Sequence, residues 1–177
     1  MIPPSIHSNR GAAWLRPALL GALLAFTPAL RAQIKVGDSF PSLQSAELDG
    51  ARPDTAGKVL LVDFWASWCT PCKASFPAYA RIYGDFSPRG LALVAVSVDK
   101  VPADYAAFLR KMAPPFATAR DVGQRLVTMV RVPSMPTSYL MGRDGRVRFI
   151  HEGFHSAGTE AEIRKEIEAL LNEKSAP

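Results

Sequence analysis

Cys69 and Cys72 are the residues best suited to chemistry, and they are the only cysteines in the 177-residue chain. They lie in Asp63-Phe64-Trp65-Ala66-Ser67-Trp68-Cys69-Thr70-Pro71-Cys72-Lys73. A disulfide stabilises mainly by closing a long loop, and this pair closes almost none. Thiols placed this close are better read as redox chemistry than as a staple. The run before them, Val59 to Trp65 (VLLVDFW), is apolar apart from Asp63, which suits a strand buried on both faces. After them, residues 70–86 put Phe76, Tyr79, Ala80 and Tyr83 on one side of a helix. The pair therefore falls where a buried strand turns into a helix. A helix N-terminus offers unpaired N–H groups and about half a positive charge. That favours a thiolate on Cys69, the form that attacks disulfides. Cys72, one turn in, can then resolve the mixed disulfide. Pro71 in the first turn sacrifices no helical hydrogen bond.

The remaining elements must hold that junction in place. Residues 33–58 are rich in turn signals, with a short strand or hairpin expected around Phe40 to Leu48. Leu91 to Val98 (LALVAVSV) reads as a second buried strand, parallel to the first across a helical crossover. Pro102 to Met112 reads as a helix, Phe116 to Thr118 as a short strand, and Val122 to Val130 as a helix stopped before Pro133. Thr137 to Met141 and Arg146 to His151 are strands joined at Gly142-Arg143-Asp144-Gly145, whose Asp-Gly step is a hairpin signal. Thr159 with Glu162 forms a capping box for a last helix. Its core face is Ile163, Ile167, Leu170 and Leu171, with Arg164, Lys165, Glu166 and Glu168 toward solvent. Tyr105, Phe108, Met112 and Met129 are core positions by their spacing, and the tail after Lys174 is frayed. The fold class is α/β: a mixed sheet with helices on both faces.

Composition narrows the field. The chain is 48% hydrophobic and 21% charged, the balance of one soluble globular domain. The formal charge of +5 does not point to nucleic acid, because Arg10, Arg16 and Arg31 lie in the first 32 residues, which hold no acid. The remainder has 18 basic and 16 acidic residues, with no basic run. Residues 1–32 read as a secretory signal peptide, or as an uncleaved N-terminal anchor. Arg10 and Arg16 precede the short apolar run Ala18 to Leu30, and Ala32 ends a cleavage site. The globular part would be residues 33–177, exported to the periplasm.

The segment VDFWASWCTPCK resembles the active-site segment of the thioredoxin superfamily, and the likeness runs through the whole exported part. Pro77 stands where that family kinks its active-site helix, and Met135-Pro136-Thr137 looks like its cis-proline loop. Asp49-Gly50, Gly57-Lys58, the helix at 102–112 and Gly153-Phe154 are similar to the exported TlpA/ResA-like branch. The resemblance implies a thioredoxin-like fold with an N-terminal strand or hairpin extension and an extra helix inserted in the middle. It implies Cys69 as nucleophile, Cys72 as resolving thiol and Pro136 as a cis-proline that leaves a backbone edge free for substrate and blocks metal capture. Trp68, Thr70, Pro71 and Met135 would line the substrate surface. Asp63 falls on the family's buried acid, and a carboxyl in an apolar strand should have a raised pKa suited to taking the proton from Cys72. Clients would be proteins with disulfides, and re-reduction would need a membrane electron donor of the DsbD/CcdA type. Ser75 and Asp63 stand where cytochrome-maturation reductases often carry Glu and Asn. Both departures favour a more general reductase. A lone C-x-x-C domain suggests a monomer, and no cofactor is expected.

Two alternatives accompany this reading. A thiol oxidase or isomerase would use the same pair with a less stable disulfide. A copper-binding carrier would use the cysteines, with His155 as a further ligand. Cys69, Cys72, His151 and His155 also count as a zinc set, but the gap between the pairs far exceeds the ~12–15 residues of a zinc finger. Solvated histidines and no metal are the expectation. A peroxidase would want Thr at the position of Ala66.

Overall fold

The computed structural model describes Met1, residues 33–155 and residues 157–173; the expected leader and the tail after Lys174 lie outside the described residues. The elements are β1 Leu48–Gly50, β2 Val59–Trp65, α1 Thr70–Phe86, β3 Leu91–Ser97, α2 Pro102–Met112, β4 Ala117–Asp121, α3 Arg125–Val130, β5 Thr137–Met141, β6 Val147–Glu152 and α4 Ala157–Asn172. They build a six-stranded sheet in the order β1-β4-β3-β2-β5-β6. Strand β3 is parallel to β2 and to β4, and the remaining pairings are antiparallel. Every residue of β2, β3 and β5 is buried, so continuous apolar runs occupy the middle of a sheet covered on both sides. Among the described residues no helix is long and apolar enough to cross a membrane.

Register assigns the faces. Asp63 lies opposite Ala95 on β3 and Ser138 on β5, and Ser138 lies opposite His151 on β6, so the four share one face. Helices α1, α2 and α4 cover that face. Trp65 packs against Phe76 of α1 and Phe108 of α2, with ring centroids 4.8 and 4.3 Å away. The opposite face carries α3 and the segment ahead of β1, with Phe40 against Tyr139 at 5.5 Å and the Ile34 N–H on the Val130 carbonyl.

That segment corrects the short strand or hairpin expected around Phe40 to Leu48. Ser39 bridges to Arg146, and the Gly37 and Phe40 N–H groups donate to the carbonyls of Val147 and Gly145 at 2.8 and 3.0 Å. Residues 37–40 thus pair with the start of β6, while β1 pairs with β4 at the other edge of the sheet. The two pieces bond to opposite outer strands and not to each other. The short strand expected at Phe116 to Thr118 is β4, displaced toward its C-terminal side.

Helix α3 starts at Arg125 rather than Val122, because Gln124 at the N-cap takes a left-handed conformation (φ 54°) and Asp121, three residues earlier, takes up the first N–H groups. The two Asp121 carboxylate oxygens accept from the N–H groups of Arg125 at 3.0 Å and Val127 at 2.8 Å. Met129, expected in the core, is exposed. Helix α4 begins at Ala157, so Thr159 lies inside it; its hydroxyl accepts from the His155 N–H at 3.2 Å instead of forming the expected capping box.

Candidate active site

Cys69 is the N-cap of α1, in an extended conformation (φ −84°, ψ 110°), with Pro71 in the first turn. Its sulfur accepts from the Cys72 N–H at 3.2 Å, so the cap places Sγ over the helix N-terminus. The two cysteines are joined as a disulfide, with Cα atoms 5.3 Å apart. Cys72 is fully enclosed and Cys69 is 5% exposed. Around Cys69, Trp68, Thr70 and Pro71 are all exposed, and Trp68 is 68% open to solvent. The sulfur that can be reached thus sits among side chains offered to a partner, and the other lies beneath it. Lys73 is exposed, as expected.

The proline loop comes to the same end of the sheet. Thr137 is paired with Phe64, and the strands run antiparallel, so Met135 and Pro136 continue alongside the chain that leads from β2 to Cys69. The Met135–Pro136 bond is cis. Pro136 is buried and Met135 half-buried. The Pro136 carbonyl accepts from Gly153 at 2.7 Å, and the Thr137 hydroxyl donates to the Ser134 carbonyl at 2.8 Å, which fastens the loop at both ends.

Asp63 is fully buried on β2. Its Oδ1 accepts from the Tyr79 hydroxyl at 3.1 Å, and among the described residues its Oδ2 has no hydrogen-bond partner. Burial drives its carboxyl well above the ordinary range, and the Tyr79 bond only partly opposes this. The Tyr79 phenol is itself pushed up, by burial first and then by the charge of Asp63. Tyr79 was legible in the sequence only as a core residue; its place one helical turn beyond Ser75 on the face toward β2 was the available signal. Ser75 is buried, its hydroxyl donating to the Cys72 carbonyl at 2.9 Å. Asp99, just past β3, also escaped the sequence reading, although it ends a buried apolar run as Asp63 interrupts one. It accepts hydrogen bonds from Ser67, two residues before Cys69.

The histidines do not join the cysteines. Among the described residues the one group of potential metal ligands is His151, Glu162 and Glu166, whose ligand atoms lie within 4.8 Å of one another. His151 is not the solvated residue expected, nor does Glu166 face open solvent. His151 Nε2 lies 2.7 Å from Glu166 Oε2, with side chains 11% and 13% exposed.

Comparison with known proteins gives a consistent picture. Residues 36–150 match the AhpC/TSA family. The thiol-disulfide oxidoreductase ResA of Bacillus anthracis is 27% identical over 118 residues, covering 65% of this chain and 68% of that protein. ResA of Bacillus subtilis is 29% identical over 117 residues, covering 64% and 65%. A crystal structure described as a thiol:disulfide interchange protein DsbE from Chlorobium tepidum is 32% identical with a TM-score of 0.73, covering 79% of this chain and all of that one.

Proposed function

The chain belongs to the AhpC/TSA family and is a thioredoxin-fold thiol–disulfide oxidoreductase; from that premise we propose that it is exported and reduces disulfides in client proteins. The observation that carries this reading is the placement of Cys69 at the N-cap of α1 with Cys72 enclosed one turn below it. In the reduced protein the Cys69 thiolate attacks a client disulfide and expels one client thiolate, which takes up a proton. Cys72, deprotonated by Asp63, attacks Cys69 and releases the second client thiolate. Two electrons pass to the client, which leaves as a dithiol, and the Cys69–Cys72 disulfide forms.

The other assignments support this sequence of steps. Trp68, Thr70, Pro71 and Met135 contact the client, and Pro136, which has no N–H of its own, leaves the neighbouring backbone edge free for it. Asp63 has the raised proton affinity that the resolving step needs. The protein works as a monomer and receives electrons from a membrane donor of the DsbD/CcdA type, because an oxidising compartment does not supply them. Among the described residues neither His151 nor His155 stands with the cysteine pair, so the geometry there does not favour a copper carrier.

Direction of flow is tested by equilibrating the Cys69–Cys72 couple with glutathione or dithiothreitol. A reductase should give a potential near thioredoxin's, about −270 mV. A value toward about −120 mV would make the protein an oxidant and reverse the proposal.

A further inference from the structure

Asp99 is a buried carboxylate to which the redox steps assign no task. It is 3% exposed. Its Oδ1 accepts from the Ser67 hydroxyl at 2.9 Å, and its Oδ2 accepts from the Ser67 N–H at 3.0 Å and the Ser97 hydroxyl at 2.8 Å. The Ser97 oxygen in turn accepts from the Asp99 N–H at 2.9 Å. The Ser67 hydroxyl, the Ser67 N–H and the Ser97 hydroxyl all bring donors to the two carboxylate oxygens.

The location of this knot matters more than its strength. The β2–β3 ladder ends at Trp65 opposite Ser97, with one further bond from the Val98 N–H to the Trp65 carbonyl at 2.9 Å. Beyond that point the chain leaves the sheet through Ala66, Ser67 and Trp68, and the Asp99 carboxylate ties Ser67 back to the end of β3. Ser67 is two residues from Cys69, at most ~7 Å of extended chain. The Cys69 N–H closes onto the Ala66 carbonyl at 3.1 Å, so anchoring Ser67 anchors the turn that presents Cys69.

We propose that Asp99 is a positioning residue for Cys69, holding the Ser67–Cys69 turn so that the Cys69–Cys72 disulfide is favoured over the open dithiol. This rests on the thiol–disulfide reading of the pair. The disulfide constrains the turn by itself, whereas in the dithiol only non-covalent contacts keep Cys69 beside Cys72. Loss of the anchor gives the reduced form freedom that the oxidised form cannot use, so the effective concentration of one thiol at the other falls.

The test is the equilibrium in which the protein disulfide and two glutathione thiols give the protein dithiol and glutathione disulfide. Asp99→Ala should make the protein disulfide about five- to tenfold less stable, where tenfold is about 30 mV for a two-electron couple. Asp99→Asn, which keeps one acceptor oxygen, should shift it less in the same direction. By linkage, Asp99→Ala should cost the oxidised form more stability in urea than the reduced form, by the same factor. A purely structural Asp99 would lower both forms equally and leave the equilibrium within twofold of wild type, and that result overturns the proposal. Should Asp99→Ala fail to fold, Ser67→Ala, which removes the hydroxyl contact and keeps those from the Ser67 N–H and the Ser97 hydroxyl, decides the matter. It should shift the equilibrium about two- to threefold, and no shift refutes the anchor. Failure of the wild type itself to exchange with glutathione would instead sink the reading of the cysteine pair, and this inference with it.

Discussion

Tyr79 on α1 donates its phenolic hydrogen to Asp63 Oδ1 on β2, and both side chains are closed off from solvent. Among the described residues that bond is the only one the carboxyl makes, and Oδ2 is buried without a partner. A carboxylate so placed is poorly solvated, and the protonated form is favoured far beyond the usual carboxyl range. The fold is therefore less stable with Asp63 ionised than with it neutral.

Stability should follow from that sign. The native state keeps a proton on Asp63 that the unfolded chain gives up near pH 4, so stability falls as pH rises from there to the raised native value. Asp63→Asn removes the penalty. It should raise the stability of the oxidised protein by about 1–3 kcal/mol at pH 7–8, with no gain at pH 4. Urea denaturation at both pH values checks this, and an equal gain at both would remove the titration of Asp63 as the cause.

The same substitution separates the two chemical steps. Asp63→Asn should slow resolution of the mixed disulfide about tenfold or more, while the first attack by Cys69 changes little. Rapid-quench measurement of both steps with a model disulfide is the assay, and equal slowing of both would deny Asp63 its proton-transfer role.

Cys72→Ser should trap clients on Cys69 as mixed disulfides, visible on non-reducing gels and released by dithiothreitol. Cys69→Ser should abolish turnover. Absence of trapped species in Cys72→Ser, with an active wild type, would put the nucleophile elsewhere.

His151 supports a partly buried Glu166. Burial pushes the Glu166 carboxyl up, and the bond to His151 pulls it back. Without His151 the carboxylate loses that support, beside the charge of Glu162. His151→Ala should cost about 1–2 kcal/mol at pH 7–8. The loss should shrink as pH falls through the raised folded-state value of Glu166, below which the carboxyl holds a proton. A loss that does not vary with pH would mean that His151 contributes packing alone.

Gly50 has φ 124°, and a Cβ there would lie 2.7 Å from the Thr118 carbonyl oxygen and 2.9 Å from the Ala119 Cα. Both are backbone atoms of the paired strand and cannot turn aside. Gly50→Ala should detach β1 from β4 at a cost of about 2 kcal/mol. Thermal unfolding and faster proteolysis within residues 48–58 would report it.

Local pattern decided which elements the sequence revealed. VLLVDFW is long and apolar enough to define β2 to the residue, and the cysteine turn with the apolar stripe behind it defines α1. Pro102 and Phe108 do the same for α2. Long-range partners decided the rest. Residues 37–40 are extended because β6 lies beside them, more than one hundred residues further along the chain. The start of α3 is set by the Asp121 carboxylate, not by periodicity. At the site, the cysteines and the burial of Asp63 follow from their immediate neighbours. The Ser67 anchor does not, because Asp99 is 32 residues away from it in sequence. Likewise, no local signal couples His151 to Glu166 on another element.

The segment ahead of β2 touches one outer strand with residues 37–40 and the other with residues 48–50. It is a hem sewn along both margins of the sheet. A polypeptide begun at Val59 would keep both cysteines, helices α1 to α4 and the central strands. It would also bare the backbone donors and acceptors of β4 and of the first residues of β6, the kind of raw margin on which a second chain can template itself. Shortening from this side should therefore show as self-association before it shows as loss of redox chemistry, and the useful lower boundary of the domain lies ahead of residue 37.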